Sequence, residues 1–338
     1  MGLQCVLKLW VPGIEELTYS RAAKEPAQYI ILLYPGMPTL EAVVLEEARD
    51  VMKLSQMMRL GLCAGVLGTL ATVISISGQG MPAAKAVALA RRHIPVRIHQ
   101  RRENQQYDSY NWSGYAVSGS SGAVTDAKGS WIVPTANCTT TPTGYSAFWV
   151  GIDGFSSDSV EQTGTDSDCV SLTGKNGTPT YYAWFEFYPN PSYEIQFSHG
   201  IQPGDLMTAE VTYAGQTTGA GHRGPGAQFT VTITDVTKGE TYTVTSTAPS
   251  ANESSAEWIA EAPCCGKANS VLPLSDFSTV QFNSGAATVQ GAKGAIASFG
   301  SNVQEITMVD QAAPHSVKAQ PSSLSGGAFT VTWLSPGP

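Results

Sequence analysis

The sequence of 338 residues predicts an all-β protein, an antiparallel sandwich or barrel, over most of its length. After Tyr107, apolar and polar residues alternate in several short segments, and no segment keeps a helical period over three turns. The chain also contains 34 Gly and 20 Pro, which supply frequent turns. A charged fraction of 14% is too low for a coiled coil, and 42% apolar residues are too many for a wholly disordered chain.

The clearest pair of strands is a predicted hairpin. Phe229, Val231 and Ile233 share one face of the first strand, with threonines on the other face. The run that starts at Glu240 repeats this pattern, and residues 235–239 between the two runs have the length of a hairpin turn. Similar alternation predicts strands at 209–214 and 329–333.

Three further predicted strands, 148–153, 181–188 and 256–261, carry aromatic and acidic side chains on the face opposite the expected core. An aromatic floor with carboxylates is typical of a cleft that binds a polymer. An ordinary outward-facing surface is the alternative, since aromatic residues are common in strands. The residues that share this face are Trp149, Asp153, Trp184, Glu186, Tyr188, Glu257 and Glu261.

The front of the chain predicts export. Residues 60–76 are uncharged, follow Arg59, and precede a run of small residues, which is the pattern of a signal peptide. A short membrane anchor is the alternative. We expect residues 1–56 to be a spurious or unstructured extension, with translation beginning at Met52, Met57 or Met58, and residues 57–84 to be the signal peptide of a secreted, extracellular protein.

Charge divides the chain at about residue 106. Residues 1–106 carry 12 Lys and Arg against 8 Asp and Glu, whereas residues 107–338 carry 7 against 19. The acidic part would repel a phosphate backbone, which argues against nucleic acid as a partner. Residues 85–106 predict a basic propeptide that docks on the acidic domain 107–338 at neutral pH and leaves when carboxylates protonate. A solvated basic linker is the alternative, and for a propeptide we expect self-cleavage near 103–107 on acidification.

Several catalytic and metal-binding patterns are absent from the sequence. HExxH, CxxC and GxSxG do not occur, so we expect neither a metal nor another cofactor. After residue 106 the only histidines are His199, His222 and His315, which we interpret as surface residues.

Four cysteines follow residue 106, an even number that predicts two disulfides in a secreted domain. Adjacent cysteines rarely pair with each other, so we expect Cys264 and Cys265 each to pair with Cys138 or Cys169, with the partners left open.

Five segments in order resemble the glutamic peptidase family, the eqolisins. They are Asn111-Trp-Ser-Gly-Tyr, Trp149-Val-Gly-Ile-Asp-Gly, Gln162-Thr-Gly, Ala183-Trp-Phe-Glu-Phe-Tyr-Pro and Ala256-Glu-Trp-Ile-Ala-Glu. The similarity runs from about Tyr110 to Trp333.

This resemblance implies two large antiparallel sheets packed face to face, as in concanavalin-type lectins and glucanases. It also implies a monomeric, acid-active endopeptidase that hydrolyses polypeptides with a catalytic glutamine at Gln162 and a catalytic glutamate at Glu257. The substrate-binding positions that it implies are Trp112, Trp149, Asp153, Glu186 and Tyr188. The chain departs from the family at Tyr182, where an acid is expected, and in its cysteine spacing.

The implied chemistry is consistent with these residue types. An ionised Glu257 can take a proton from water and return it to the leaving amine, and Gln162 can orient the water and donate to the oxyanion. We expect Glu186 to tune Glu257 through shared hydrogen bonds. The alternatives are a glycoside hydrolase that uses Glu186 and Glu257 on neighbouring strands, and a carbohydrate-binding, lectin-like module. Glu257 and Glu261 cannot form the glycosidase pair, because four residues of one strand span about 13 Å.

Overall fold

A computed structural model describes residues 86–88, 93, 98–102, 106–171, 177–217, 226–248, 250–265 and 270–337. The predicted extension 1–56 and the predicted signal peptide 57–84 lie outside these residues. Over the described ranges, no helix combines the length and apolar character needed to cross a membrane.

The described chain is nearly all β, as the alternation predicts. The strands are β1 (Ala86–Ala88), β2 (Ile98–Arg102), β3 (Gln106–Ser109), β4 (Trp112–Ser118), β5 (Val124–Ile132), β6 (Ala147–Ile152), β7 (Val160–Val170), β8 (Thr178–Tyr188), β9 (Tyr193–Ile195), β10 (Leu206–Thr217), β11 (Gly226–Asp235), β12 (Glu240–Ala248), β13 (Ser255–Glu261), β14 (Cys264–Cys265), β15 (Ser270–Val271), β16 (Thr279–Val289), β17 (Ala292–Ala295), β18 (Val303–Val309), β19 (Val317–Pro321) and β20 (Phe329–Trp333). One 3₁₀ helix, Ile296–Asn302, precedes β18.

Two sheets form the sandwich. The front sheet has the strand order β1-β9-β8-β7-β6-β13-β4-β18-β3-β2, and all its pairings are antiparallel except that of β18 with β3. The back sheet has the order β12-β11-β10-β5-β16-β20-β19, and β19 joins β18 at one side of the sandwich.

The core lies between the two sheets. Phe148, Val150 and Ile152 of β6 face it from the front sheet, and Phe229 and Val231 face it from the back sheet. Because every second residue of these strands is apolar, one face of each sheet is buried against the other. The indole nitrogen of the core residue Trp258 is also satisfied, since its Nε1 donates to the Lys128 carbonyl at 2.8 Å.

The predicted hairpin is confirmed as β11 and β12, with Asp235 opposite Glu240 at the turn. Its outer face carries three cross-strand threonine pairs, and their hydroxyls lie 2.9 to 3.1 Å apart. These pairs are Thr230 with Thr245, Thr232 with Thr243, and Thr234 with Thr241.

The cysteine prediction is wrong in its partners. Cys138 and Cys169 form a disulfide with each other, with a Cα–Cα distance of 5.3 Å, so neither can bond Cys264 or Cys265. The loop that holds Cys138 returns to β7 at Gly144, which pairs with Cys169, and this brings the two cysteines together. Cys264 is buried in β14.

Candidate active site

Alternation along β13 creates the candidate site. Ala256, Trp258 and Ala260 face the core, so Glu257, Ile259 and Glu261 face the opposite, outer side of the front sheet. A second apolar cluster covers this outer face and contains the predicted aromatic floor. Its buried members are Trp112, Ala116, Ala147, Trp149, Val160, Trp184, Ile259 and Ile306, and Tyr182 and Tyr188 pack against it.

The two predicted catalytic residues lie in one row across the sheet. Glu257 of β13 is opposite Gly151 of β6, Gly151 is opposite Gln162 of β7, and Gln162 is opposite Glu186 of β8. Strands in a sheet are about 4.8 Å apart, so the backbones at Glu257 and Gln162 are about 10 Å apart. Gly151 has no side chain to fill the space between them, and the two functional groups therefore border a common gap.

Glu257 is a buried carboxyl, 0% exposed. Burial raises its pKa well above the ordinary glutamate value, and Asp153 adds to the rise by repulsion, whereas the Ser255 hydroxyl and the Phe155 backbone amide oppose it. Neither oxygen is within full hydrogen-bond geometry of a partner in the described part of the chain. Such a carboxyl holds a proton over a wider pH range than a free glutamate does.

Gln162 is oriented by its neighbour on β8. Its Nε2 donates to Glu186 Oε2 at 3.0 Å, which fixes which end of the amide is the nitrogen. Its Oε1 is buried and accepts no hydrogen bond from the residues that the structure describes. The site thus has buried acceptor oxygens of Glu257 and Gln162 on the two sides of Gly151.

A second row contains Trp112, Glu261, Ala147, Asp166 and Tyr182. Glu261 accepts hydrogen bonds from Trp149 Nε1 at 2.8 Å and Asn111 Nδ2 at 3.0 Å, and burial raises its pKa well above the ordinary value. Tyr182 donates to Asp166 Oδ2 at 2.6 Å, so an acid is present next to the position where the resemblance expected one. The ring of Trp112 packs edge to face against the ring of Trp149, and their centroids are 4.8 Å apart.

Asp153 lies at the end of the site and binds the chain's own backbone. Its carboxylate accepts backbone hydrogen bonds from Asn252, Glu253 and Ser254 at 2.7 to 2.9 Å. This carboxylate therefore holds the loop that leads into β13 and Glu257. Asp153 has φ 73°, in the left-handed region that asparagine and aspartate tolerate best.

His93, which the sequence analysis assigned to the basic segment without a role, also lies at the site. It is fully buried, and its ring stacks on Trp184 with centroids 3.6 Å apart and planes 6° apart. Its Nδ1 is 3.5 Å from Glu261 Oε2. Its backbone amide donates to Glu186 Oε2 at 3.0 Å, and its carbonyl accepts from Gln162 Nε2 at 2.5 Å.

Glu161 is a second residue that the sequence analysis did not single out. It is opposite the core-facing Ile152 and Phe187, on the face of β7 away from Gln162, and is 0% exposed. Burial raises its pKa well above the ordinary value, with repulsion from Asp153 and Glu257 as further causes. The surrounding residues are not apolar in alternation, so the sequence carries no sign that this carboxyl is inside. Among the described residues, no three acidic, histidine or cysteine side chains are grouped as metal ligands.

Comparisons with known proteins identify relatives of this chain. The Peptidase A4 family matches residues 110–333. Aspergillopepsin-2 of Aspergillus niger is 27% identical over 255 residues, which cover 68% of this chain and 79% of the relative. Two solved structures show the same fold at lower identity. Scytalido-glutamic peptidase with a peptide-based transition state analog has a TM-score of 0.52 and 23% identity, and the match covers 67% of this chain and 98% of that one. SCP-B, a member of the eqolisin family in complex with the tripeptide Ala-Ile-His, has a TM-score of 0.50 and 22% identity over the same shares.

The family match covers well over half of the chain and contains all five segments that carry the resemblance. The expected sandwich is confirmed, and polypeptides are the class of substrate that the family implies. The chain belongs to the Peptidase A4 family and is a glutamic endopeptidase.

Proposed function

We propose that this endopeptidase is secreted, works in acid, and uses Glu257 as general base and acid with Gln162 as the group that orients water and binds the oxyanion. The observation that carries the proposal is the row in which Gly151 separates Glu257 from Gln162. Two buried functional groups of complementary chemistry border one gap on the aromatic face of the sheet. These two residues are the catalytic pair that the family resemblance implies.

The acceptor oxygens on either side of Gly151 suit a water molecule. A water there donates one hydrogen to Glu257 and the other to Gln162 Oε1, and its oxygen is left free to attack a carbonyl carbon. Glu257 takes the proton that the water loses, and the Gln162 amide donates to the oxyanion that forms. The C–N bond then breaks, and Glu257 returns its proton to the leaving amine.

The aromatic face suits an extended peptide. Trp112, Trp149 and Trp184 give flat apolar surface, and Glu186 and Glu261 supply acceptors for backbone or side-chain donors. Scytalido-glutamic peptidase binds a peptide-based transition state analog and SCP-B binds a tripeptide, and we infer that polypeptides occupy the same face here. This proposal includes substrate-binding roles for Trp112, Trp149, Glu186 and Tyr188. Asp153 has a different role in it, because this residue positions β13.

Acid activity follows from the carboxyls. Glu257 and Glu261 are buried with raised pKa values, and each is most easily accommodated when neutral. In acid Glu261 keeps its proton, and a neutral amide such as Gln162 still donates and accepts hydrogen bonds there. Glu257 acts as the base in the fraction of molecules in which it is ionised.

The glycosidase alternative loses its geometric basis. It required Glu186 and Glu257 on neighbouring strands, but β6 and β7 lie between them. Their backbones are therefore about 14 Å apart, whereas glycosidase carboxyls are about 5 to 9.5 Å apart.

The organisation of the chain completes the proposal. The signal peptide 57–84 directs export, the basic segment 85–106 is a propeptide, and residues 107–338 are the mature, monomeric enzyme. The charge of the chain supports this division, since a basic segment precedes an acidic domain in the sequence.

The test is digestion of an unfolded protein by the full chain from about pH 3 to 7, a range that spans the ionisation of glutamate. We expect a maximum below neutrality. Glu257→Gln is expected to reduce kcat/KM by at least about 10²-fold, because general acid–base catalysis contributes about 10² to 10⁴-fold. Glu161→Gln is the matched control, since it neutralises an equally buried carboxyl on the opposite face of the sheet and is expected to digest the substrate. Equal activity in Glu257→Gln and wild type would exclude the proposed role of Glu257.

A further inference from the structure

Three described parts of the segment before the peptidase domain, β1, His93 and β2, lie against the sheet that holds the candidate site. Strand β1 pairs with β9 at one edge of the front sheet, and β2 pairs with β3 at the other edge. His93 lies midway between them in sequence, and in space it contacts Trp184, Glu186 and Gln162 in the middle of the sheet. His93, which contacts the site, is thus flanked in sequence by a strand at each edge of the sheet.

The backbone of His93 is held as a substrate backbone would be. Its amide donates to Glu186 Oε2 at 3.0 Å, and its carbonyl oxygen accepts from Gln162 Nε2 at 2.5 Å. Gln162 is the residue that we propose as oxyanion donor. A carbonyl that accepts from this amide occupies the position where charge develops during hydrolysis.

The side chain of His93 also fills a built pocket. The ring lies flat on Trp184 at 3.6 Å, and Glu261 Oε2 is 3.5 Å from Nδ1. Glu261 is held in place by Trp149 and Asn111, so the carboxylate does not need to move to meet an imidazole. A flat ring with polar nitrogens matches this pocket by stacking and by the polar contact of Nδ1 with Glu261.

We propose that the peptide bond between His93 and Ile94 is a substrate of the chain's own active site and the first bond cut during maturation. This rests on the proposed function, because it uses Glu257 and Gln162 in their proposed roles. Water adds to the carbonyl carbon of His93, and its proton passes through Glu257 to the nitrogen of Ile94 as the C–N bond breaks. One water is consumed, and the products are a carboxyl group at His93 and an amino group at Ile94.

The bond after His93 and the composition boundary at residues 103–107 lie at different distances from Gln162. Residues 103–107 adjoin β2 and β3, and β3 is five strand spacings from β7, or about 24 Å from the strand that carries Gln162. His93 touches Gln162 directly. Cutting after His93 leaves β1 and β2 on separate chains, so each half can leave its own edge of the sheet.

The experiment follows new amino termini by mass spectrometry after full-length protein, purified at neutral pH, is moved to the pH at which it digests unfolded protein fastest. We expect Ile94 to be the first new terminus, at a rate independent of protein concentration, as for an intramolecular reaction. His93→Ala is expected to slow this cut roughly tenfold, because the stacking on Trp184 and the polar contact with Glu261 are lost. His99→Ala, the same change in edge strand β2, is expected to leave the rate unchanged. A first terminus at 103–107, or an unchanged rate in His93→Ala, would overturn the proposal.

A peptide added from outside removes any effect of the variants on folding. A synthetic peptide of residues 88–99 is given to enzyme that has already been processed, beside the same peptide with alanine at position 93. Cleavage after the histidine, with at least about tenfold lower kcat/KM for the alanine peptide, is expected. Equal cleavage of both peptides would exclude a pocket for histidine.

The same reactions contain an unfolded protein as a second substrate. Its digestion distinguishes failure of the self-cleavage proposal from failure of the proposed function. If the wild type digests that protein but is not cut after His93, the self-cleavage proposal is wrong and the proposed function stands. If Glu257→Gln digests the protein as the wild type does, the proposed function fails and the self-cleavage proposal fails with it.

Discussion

At the scale of single residues, the gap between Glu257 and Gln162 depends on the smallest residue in the row. A Cβ at Gly151 would lie 3.0 Å from Gln162 Cβ and 3.1 Å from both the Glu161 carbonyl oxygen and Trp149 Cζ3. These are tight contacts, and two of the three neighbours belong to residues of the candidate site. The glycine therefore keeps room for a reacting group between the base and the oxyanion donor.

Gly151→Ala is expected to lower kcat/KM by at least about tenfold while the protein still folds, since overpacking by one methyl costs about 1 to 3 kcal/mol. The methyl moves Gln162 and Trp149 by a few tenths of an ångström and narrows the gap. Steady-state kinetics with a peptide substrate, together with a thermal melt, measure the two effects separately. Unchanged kinetics in a folded variant would show that the gap is not the reaction site.

At the scale of elements, β6 and β7 approach each other closely beside Trp149. Gly164 is opposite Trp149, and a Cβ there would lie 2.3 Å from the Phe148 carbonyl oxygen and 2.6 Å from Trp149 Cβ. Backbone atoms cannot turn away as a long side chain can. The pairing of these strands, which sets the register of Gln162 against Gly151, therefore requires glycine at 164.

Gly164→Ala is expected to lower the free energy of unfolding by at least about 2 kcal/mol, because the two strands must separate. Gly204→Ala is the comparison, since a Cβ there meets nothing within 4 Å and only its φ of +92° opposes the change. About 1 kcal/mol is expected at Gly204. Denaturant unfolding measures both, and equal losses would mean that the close approach of β6 and β7 does not limit the fold.

At the scale of the whole molecule, buried carboxyls set how stability depends on pH. The pKa values of Glu161, Glu257 and Glu261 are all raised well above the ordinary value, chiefly by burial. A raised pKa in the folded state means that the folded protein binds more protons than the unfolded chain above the pKa of a free glutamate, about 4.3. Stability is then fully present below that pH and is lost as the pH rises through the folded values.

We therefore expect the Tm to fall as the pH is raised from about 4.5 to 7.5, a range that begins just above the free-glutamate pKa. Burial lowers the pKa of Lys318 to about 8, so the titration of this group affects stability only above this range. Glu161→Gln is expected to raise the Tm at the upper pH and leave it unchanged at the lower one. Calorimetry in a Glu257→Gln background, which prevents self-digestion, measures this. A Tm that rises with pH would contradict the assignment of these carboxyls as buried and neutral.

Alternation predicted the strands and the shared face of Trp149, Trp184, Glu186 and Glu257, because period-two patterns fix which side of a sheet a residue takes. The family motifs supplied Gln162, and strand pairing placed it in the same row as Glu257, with Gly151 between them. Spacing could not predict the contacts of His93, because its partners Gln162 and Glu186 are 69 and 93 residues away in sequence. Neither could it predict the Cys138–Cys169 bond, because the return of a loop to the end of β7 decides the pairing.

The strands β1 and β2 have a consequence for the maturation that we propose. Both come from the basic segment, and they are the two edge strands of the front sheet, paired with β9 and β3. Removing that segment uncovers two rows of backbone donors and acceptors, on β9 and on β3, which can template the addition of a further strand. These rows are only three and four residues long. Edge strands this short offer few backbone hydrogen bonds to a neighbouring molecule. The mature protein that we propose can therefore lose β1 and β2 without aggregating.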